Sequence, residues 1–293
     1  RTMKNLLYIL LFVPLFGFGQ HTFSIVAIDS ITKEVGSAGA TCGDAVLWPG
    51  TPGAALISDV IPGLGAIHTQ SYWNQSNQIN ANQKLLEGYT AVELIDWLVE
   101  NDAENNPSIR QYGAITLVND SITPYSYTGE NCFDYKNHII GDNYAIQGNI
   151  LLGQSVLDSM ETRFLNTPGS LSEKLMASLQ GAKVIGADTR CYDNQVSSLS
   201  AFLRVAKIND SPNDLYLNII VEATPEYIDP IDVVQEEYNE LNLGTEIYEN
   251  INVEPKLLRI IDVLGRNRKA NIKGELLFYI YDDGNTKKRI IIE

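Results

Sequence analysis

The chain has 293 residues, with 21 Lys and Arg against 36 Asp and Glu, so its formal net charge is −15. Such an acidic chain is a poor candidate for binding nucleic acid or anionic lipid, because both require clustered positive charge. With 44% hydrophobic and 19% charged residues, the sequence can form a buried core, which excludes wholesale disorder. The charge is uneven: residues 20–255 hold ten basic and 31 acidic side chains, whereas residues 256–293 hold nine and five.

Residues 1–19 have the pattern of a secretory signal peptide. Lys4 supplies a positive charge, residues 6–18 are almost wholly apolar, and Gly17 and Gly19 stand where a signal peptidase requires small residues. This apolar run is too short to span a bilayer as a helix. We therefore predict a mature protein that begins at about residue 20 and carries no transmembrane segment.

Behind this segment, short β-rich runs alternate with amphipathic stretches. The predicted elements are strands at 23–28, 35–41, 54–60 and 64–69, helices at 80–87 and after Thr90, strands at 111–118, 122–127 and 144–147, helices at 150–165 and after Ser170, and strands at 196–208 and 215–221. Thr90-Ala-Val-Glu93 and Ser170-Leu-Ser-Glu173 are capping boxes, whose side chains satisfy the free N–H groups of a helix start. Hairpin connections favour antiparallel sheets covered by helices over a parallel βαβ series. The sequence therefore predicts an α+β fold.

The C-terminal part of the chain differs from the body in composition and in hydrophobic periodicity. Residues 228–244 lose the helical and strand periodicities and are acidic, which predicts a boundary or linker. In the last residues, Asp283-Gly284 between two β-rich runs predicts a hairpin. We therefore divide the chain into a signal peptide (1–19), a body (20–240), and a linker with a small all-β module (241–293).

The three cysteines are compatible with an exported protein. Cys42, Cys132 and Cys191 allow three pairings, and spacing alone does not choose among them. We prefer a Cys42–Cys191 disulfide, which would tie the first hairpin to the loop around Asp188. The histidines are scattered and no CxxC pair is present, so we expect neither a metal site nor a cofactor.

The tail resembles the C-terminal sorting domain of the type IX secretion system of Bacteroidetes. The resemblance lies in KLLRIIDVLGR at 256–266, in LFYIYDDG at 277–284 and in the basic, Ile-rich end. It implies that the type IX machinery is a partner and carries the protein across the outer membrane. The expected location is therefore the medium or the outer-membrane surface, reached through the periplasm.

The body resembles an uncharacterised family, a domain of unknown function assigned to the N-terminal-nucleophile (Ntn) hydrolase-like fold. The matching segments are TFSIVA at 22–27, GENC at 129–132, YAIQGN at 144–149, GADTR at 186–190 and SLSA at 198–201. The resemblance implies a four-layer αββα sandwich. It brings no settled activity with it.

The chemistry of Ntn hydrolases makes Thr22 the candidate nucleophile. In those enzymes the first residue of the chain attacks an amide carbon, and its α-amino group, with a pKa of roughly 8, takes the proton. The resemblance places Thr22 at that position, at the start of the first strand. Signal cleavage after Gly19 or Gln20 would leave residues ahead of Thr22, so this mechanism needs a further trimming step.

Three other residues are candidates for the catalytic site. The Asn149 amide could donate to an oxyanion, or the residue could cap the following helix. Asp188 and Arg190 lie in a Gly-led loop. They could orient a base or clamp a substrate carboxylate, or form an ion pair that only fixes the loop.

Gln70, Tyr72 and Gln147 are the candidate substrate-binding residues. Gln70 and Tyr72 belong to a polar and aromatic segment suited to lining a cleft, and Gln147 lies in the turn before Asn149. The alternative for the aromatic segment is a loop packed by its own rings.

Two functions fit these observations. The first is an exported hydrolase of amide bonds in peptides or cell-wall fragments, with Thr22 as its nucleophile. The alternative is a non-catalytic surface or secreted protein that keeps the same fold and binds a small molecule or peptide.

Overall fold

The computed structural model describes residues 19–20, 22–251, 257–269, 274, 276–281 and 286–290. The predicted signal peptide lies outside these residues, apart from Gly19. The chain divides into two compact units, residues 1–238 and residues 239–293. None of the described helices combines the length and the apolar composition needed to cross a membrane.

The first unit contains two sheets and several helices. Its strands are β1 (Gly19–Gln20), β2 (Thr22–Ile28), β3 (Val35–Thr41), β4 (Ser58–Ile61), β5 (Gly65–Tyr72), β6 (Arg110–Val118), β7 (Ser121–Thr128), β8 (Asn137–Ile140), β9 (Tyr144–Gly148), β10 (Ser200–Ala206) and β11 (Leu217–Val221). Its helices are α1 (Gln75–Leu86), α2 (Ala91–Glu100), α3 (Gln154–Asn166), α4 (Leu171–Ala182) and the start of α5 (Pro230–Ile251), with short 3-10 helices at Gly53–Ile57, Pro107–Ile109 and Thr189–Cys191.

The strands pair in an antiparallel manner, which confirms that part of the prediction. One sheet has five strands, in which β1, β5, β6 and β7 follow one another and β4 pairs with β5. The other has six strands in the order β11-β10-β3-β2-β9-β8. The mixed helix and sheet composition predicted from the sequence is therefore present.

Three apolar clusters determine which elements pack together. Ile25 of β2 belongs to a cluster between the six-stranded sheet and helices α3 and α4. Ile67 of β5 belongs to a cluster between the five-stranded sheet and helices α1 and α2. Val26 and Ile115 belong to a third cluster, between the two sheets. Because successive side chains of a strand point to opposite faces, neighbouring residues such as Ile25 and Val26 of β2 belong to different clusters.

Both predicted capping boxes are confirmed. The Thr90 N–H donates to Glu93 Oε2 at 2.9 Å, and the Ser170 N–H donates to Glu173 Oε2 at 2.6 Å. Helix α1 begins earlier than predicted because the side chain of Asn74 caps it, accepting from two backbone N–H groups. Capping contacts span only three residues, which is why the sequence reveals them.

The linker predicted at 228–244 is wrong for the part that forms α5. Ile231, Val234 and Tyr238 are buried and join the cluster beneath the six-stranded sheet. Their spacing of three and four places them on one face of a helix, and Tyr238 Oη lies 2.9 Å from Ser172 Oγ. The acidic residues of the opposite face conceal this pattern in the sequence.

The second unit contains a small sheet in the order β12 (Leu257–Ile261), β13 (Leu276–Tyr281) and β14 (Thr286–Ile290). Strands β13 and β14 pair in an antiparallel manner, which confirms the predicted hairpin, although its turn at Asp283-Gly284 lies outside the described residues. Ile260, Leu277 and Tyr279 form its apolar cluster. A core of this size stabilises a module only marginally.

Candidate functional site

The space between the two sheets is apolar at one end and polar at the other. Val26, Ile115 and their neighbours fill the apolar end. The polar end, here called the polar zone, consists of fully or almost fully buried residues: Thr22 and Ser24 of β2, Ser37 and Thr41 of β3, His68 and Gln70 of β5, Gln111 of β6, and Gln147 and Asn149 at the end of β9. Burying so many polar groups is favourable only when they are hydrogen-bonded to one another.

Thr22 stands out within the polar zone. Its carbonyl oxygen accepts from Gln70 Nε2 at 3.2 Å and from the Asn149 N–H at 3.1 Å. Its hydroxyl oxygen is buried and has no hydrogen-bond partner among the described residues. Leaving a hydroxyl in this state costs about 1–3 kcal/mol. The backbone of Thr22 is therefore held from two sides while its hydroxyl remains uncommitted.

His68 lies at the centre of the polar zone. Its Nε2 is 2.6 Å from Ser37 Oγ, and its Nδ1 is 2.8 Å from Ser24 Oγ and 3.1 Å from Gln147 Nε2. Because an amide nitrogen only donates, Nδ1 accepts and the proton resides on Nε2, a tautomer inferred from the hydrogen-bond pattern. Burial and, to a smaller extent, the Arg204 guanidinium together lower the pKa of His68 from 6.5 to about 3. The ring is therefore neutral at physiological pH.

Asp188 and Arg190 form an ion pair beside the polar zone. Arg190 donates from Nε to Asp188 Oδ1 at 3.0 Å and from Nη2 to Oδ2 at 2.6 Å. Asp188 Oδ2 also accepts from the Cys42 N–H at 2.9 Å. Arg190 Nη2 lies 3.3 Å from the Oγ1 of Thr41, the residue paired with Thr22 across β2 and β3. The pair thus anchors its loop to the hairpin that carries Thr22.

The preferred disulfide is confirmed. Cys42 and Cys191 are bonded, and Cys132 is a free, buried thiol. The bond joins the end of the β2–β3 hairpin to the 3-10 helix at Thr189–Cys191, and so reinforces the link made by Asp188. Among the described residues, no group of three or more His, Cys, Asp or Glu side chains is placed to hold a metal ion.

The structure brings most of the predicted site residues together. Gln70, Gln147 and Asn149 share the polar zone with Thr22, whereas Tyr72 lies at the end of β5 with its ring 5.7 Å from that of Phe133. The alternative that Asn149 caps a helix is wrong, because α3 begins at Gln154 and its cap position is Gly153. The Asn149 Nδ2 instead donates to Gln111 Oε1 at 2.9 Å.

Five members of the polar zone are not among the residues predicted for the site: Ser24, Ser37, Thr41, His68 and Gln111. A signal for several of them exists, because a polar residue recurs at alternate positions of otherwise buried strands, as in Thr22 and Ser24 or in His68 and Gln70. Alternation of this kind marks one face of a strand. It indicates a buried polar layer only when the strand is buried on both sides.

The absence of a side chain at Gly113 leaves room for Gln147. Gly113 pairs with His68 across β5 and β6, and a Cβ atom there would lie 1.9 Å from Gln147 Oε1. We expect Gly113→Ala to lower the free energy of unfolding by about 1–3 kcal/mol, because overpacking displaces the buried amide. Urea unfolding measures this, with Gly153→Ala as the control, since a Cβ at Gly153 meets nothing within 4 Å. Equal effects of the two substitutions would contradict the close packing.

Comparisons with known proteins give a fold and a family. The structure of protein SPO2555 from Silicibacter pomeroyi, a DUF1028 protein, has a TM-score of 0.59 and 21% sequence identity, over 75% of this chain and 88% of that one. At this identity the likeness concerns the fold alone. No curated protein matches the chain significantly. The model of the family described as "Family of unknown function (DUF1028)" matches residues 22–231. Since this match covers well over half of the chain, the protein belongs to the DUF1028 family.

Proposed function

We propose that this protein is an exported amide-bond hydrolase of the N-terminal-nucleophile type, with Thr22 as its nucleophile. The observation that carries this proposal is the Thr22 hydroxyl, which is buried in the polar zone at the start of β2 and has no partner among the described residues. Buried polar atoms of native proteins almost always have a hydrogen-bond partner, so an exception requires an explanation. Separate apolar clusters between each sheet and its helices, and between the two sheets, support the Ntn-hydrolase-like sandwich that the sequence resembles.

The proposed reaction begins once the chain starts at Thr22. The α-amino group, with a pKa of roughly 8, takes the hydroxyl proton as Oγ1 adds to the amide carbon of the substrate. The proton then passes to the leaving nitrogen as the carbon–nitrogen bond breaks, which leaves an ester on Thr22. Water adds to this ester, gives a proton to the same amine and releases the carboxylic acid and the free hydroxyl.

The neighbouring residues have different proposed roles. Asn149 is the proposed donor to the oxyanion, since its backbone N–H donates to the Thr22 carbonyl and its side-chain amide is oriented by Gln111. Arg190, oriented by Asp188, is the proposed contact for a carboxylate group of the substrate. The amides of Gln70 and Gln147 are bonded within the polar zone, which favours a supporting role over direct contact with the substrate.

Export is part of the same proposal. The C-terminal residues form a compact unit of their own, as expected of a sorting module for the type IX machinery. The Cys42–Cys191 disulfide is typical of proteins that fold in an oxidising compartment. The proposed destination is the medium or the outer-membrane surface, reached through the periplasm.

The mature N-terminus tests both parts of the proposal. We expect protein recovered from the medium or the outer-membrane fraction of its own host to begin at Thr22, as N-terminal sequencing and intact mass would show. A mature chain that keeps residues ahead of Thr22 would contradict the mechanism. Recovery from the cytoplasm alone would contradict export.

A β-lactone then probes the nucleophile directly. Thr22 Oγ1 would open the strained ring by adding to its carbonyl carbon, and the ring oxygen would leave as an alcohol after taking the proton held by the amine. We expect one adduct per chain, located on the peptide that begins at Thr22. Thr22→Ala should form no adduct, and Thr162→Ala, a change at an exposed threonine of α3, should label like the wild type. If folded protein that starts at Thr22 stays unlabelled, the alternative function, a non-catalytic binding protein with the same fold, would be favoured.

A further inference from the structure

Three buried amide side chains close on the main chain of Thr22. Gln70 comes from β5, Gln111 from β6 and Asn149 from the end of β9, and all three are almost fully buried. Gln111 Oε1 accepts from Gln70 Nε2 at 2.8 Å and from Asn149 Nδ2 at 2.9 Å. Gln111 is therefore the shared partner of the two residues that hold the Thr22 carbonyl.

The hydrogen-bonding capacity of Gln111 is fully used. Both lone pairs of its Oε1 accept, and its Nε2 lies 2.9 Å from Thr128 Oγ1, 2.9 Å from the Gly148 carbonyl and 3.2 Å from the Asn137 carbonyl. These partners lie on β7, β8 and β9, in both sheets. Because every polar atom of the amide has a partner, the side chain has one favourable orientation.

Gln111 orients the Thr22 carbonyl indirectly, through Gln70 and through Asn149. Gln70 Nε2 has two hydrogens, one directed at Gln111 Oε1 and the other at the Thr22 carbonyl. Asn149 donates its side-chain amide to Gln111 and its backbone N–H to the same carbonyl. Fixing this carbonyl fixes the peptide plane that follows Thr22, and with it the direction from which the amine and hydroxyl of Thr22 meet a substrate.

We propose that Gln111 is a positioning residue for the Thr22 reaction, which it serves by orienting Gln70 and Asn149 against the Thr22 carbonyl. This inference rests on the proposed function and adds a residue that contacts neither Thr22 nor the substrate. Pre-organisation of this kind affects the chemical step more than binding, because the displacement of a nucleophile by about 1 Å can cost on the order of 100-fold in rate.

Gln111→Glu separates positioning from general support of the fold. The new carboxylate can still accept from Gln70 and Asn149, but its second oxygen faces the carbonyls of Gly148 and Asn137, which only accept. Protonation of this carboxyl group gives it an O–H donor that faces the two carbonyls, as the amide of Gln111 does in the wild type. Burial and the facing carbonyls raise the pKa of such a group, so the wild-type arrangement should return as the pH falls. The ionisable groups around this position include the α-amino group of mature Thr22, His68 of the same polar zone, and His138, which lies 2.8 Å from Thr128 Oγ1. Burial lowers the pKa of both histidines, and the α-amino group titrates in the wild type as well, so the wild type is the reference at every pH.

The experiment measures labelling by the β-lactone between pH 9 and pH 6 on mature protein that begins at Thr22. For Gln111→Glu we expect the maximal labelling rate at pH 9 to fall about 100-fold relative to the wild type, with the half-saturating probe concentration within about twofold. The deficit should shrink at least tenfold by pH 6. Gln83→Glu, which adds the same charge on the exposed surface of α1, should match the wild type throughout.

The outcomes distinguish the two proposals. If wild-type protein forms no adduct on Thr22, the proposed function fails and the role of Gln111 fails with it. If the wild type labels and folded Gln111→Glu labels equally at every pH, or with a deficit that is independent of pH, the role of Gln111 alone is overturned. Should Gln111→Glu not fold, Gln70→Glu decides in its place, since its second oxygen would face the Thr22 carbonyl and Gln111 Oε1, which are both acceptors.

Discussion

Removal of the Cys42–Cys191 disulfide should lower the free energy of unfolding by about 5 kcal/mol. The two cysteines are separated by 149 positions in the sequence, and in the chain-entropy account a loop of this length restricts the unfolded state by about that amount. Both residues are buried in one apolar cluster with Val196, so reduction also leaves two thiols in a tightly packed place. The expected loss is comparable to the whole stability of many domains.

Urea unfolding of the double variant Cys42→Ala/Cys191→Ala, and of the wild type with and without a thiol reductant, measures this effect. The midpoint should decrease by roughly 2 M, given the slopes usual for domains of this size. Cys132→Ala is the matched control, because it removes a buried cysteine that forms no disulfide. This control should lose as much stability on reduction as the wild type. A change on reduction of less than about 1 kcal/mol would contradict the prediction.

The disulfide also bears on the candidate site. Cys42 follows Thr41, the residue paired with Thr22, and Cys191 follows Arg190. Loss of the bond leaves the contact of Asp188 with the Cys42 N–H and that of Arg190 with Thr41 Oγ1 among the side-chain links between these loops. We infer that the reduced protein holds the start of β2 less firmly, so reduction should affect labelling of Thr22 before it unfolds the domain.

Local signals account for the elements that the sequence predicts well. The capping boxes at Thr90 and Ser170 depend on contacts within a few residues, and the strand at Thr22–Ile28 depends on a strongly β-rich composition. The strand predicted at 54–60 is partly wrong, since a 3-10 helix occupies Gly53–Ile57. There the Ala54 N–H donates to Ser200 Oγ at 2.9 Å, a partner that local pattern does not reveal.

In the candidate site, too, local sequence pattern does not reveal contacts between residues that are distant in the chain. Resemblance to a family indicates Thr22 and Asn149. Gln147 is predicted from its place in a turn before Asn149, and this placement is wrong because the residue belongs to β9. Gln111 and His68 gain their roles from contacts between the two sheets, such as that of Gln70 with Gln111, 41 positions apart. Such contacts follow from how the sheets face each other, and a single sequence without covarying homologues carries no record of them.

The buried histidine makes stability depend on pH in a defined window. The pKa of His68 is lowered from 6.5 to about 3 in the folded protein, mainly by burial. Between these two pH values the ring is protonated in the unfolded chain and neutral in the folded one. The stability contributed by the neutral ring is therefore complete above pH 6.5 and decreases as the pH falls toward 3. Over the whole window the expected loss is about 4–5 kcal/mol. Protonation would also place a hydrogen on Nδ1, which faces the donor Gln147 Nε2 at 3.1 Å.

Urea unfolding at pH 7, 6, 5 and 4 of the wild type and of His68→Gln measures this dependence. The variant should be less stable at pH 7, because it loses contacts with Ser24 or Ser37. As the pH falls, the free energy of unfolding of the variant should decrease more slowly than that of the wild type. The two slopes should differ by up to about 1.4 kcal/mol per pH unit. His138→Gln is the control for the loss of a less buried histidine and should change the slope less. Since the carboxylates are the same in all three proteins, differences between their slopes isolate the histidines. Parallel curves for the wild type and His68→Gln would show that His68 is not the acid-sensitive group.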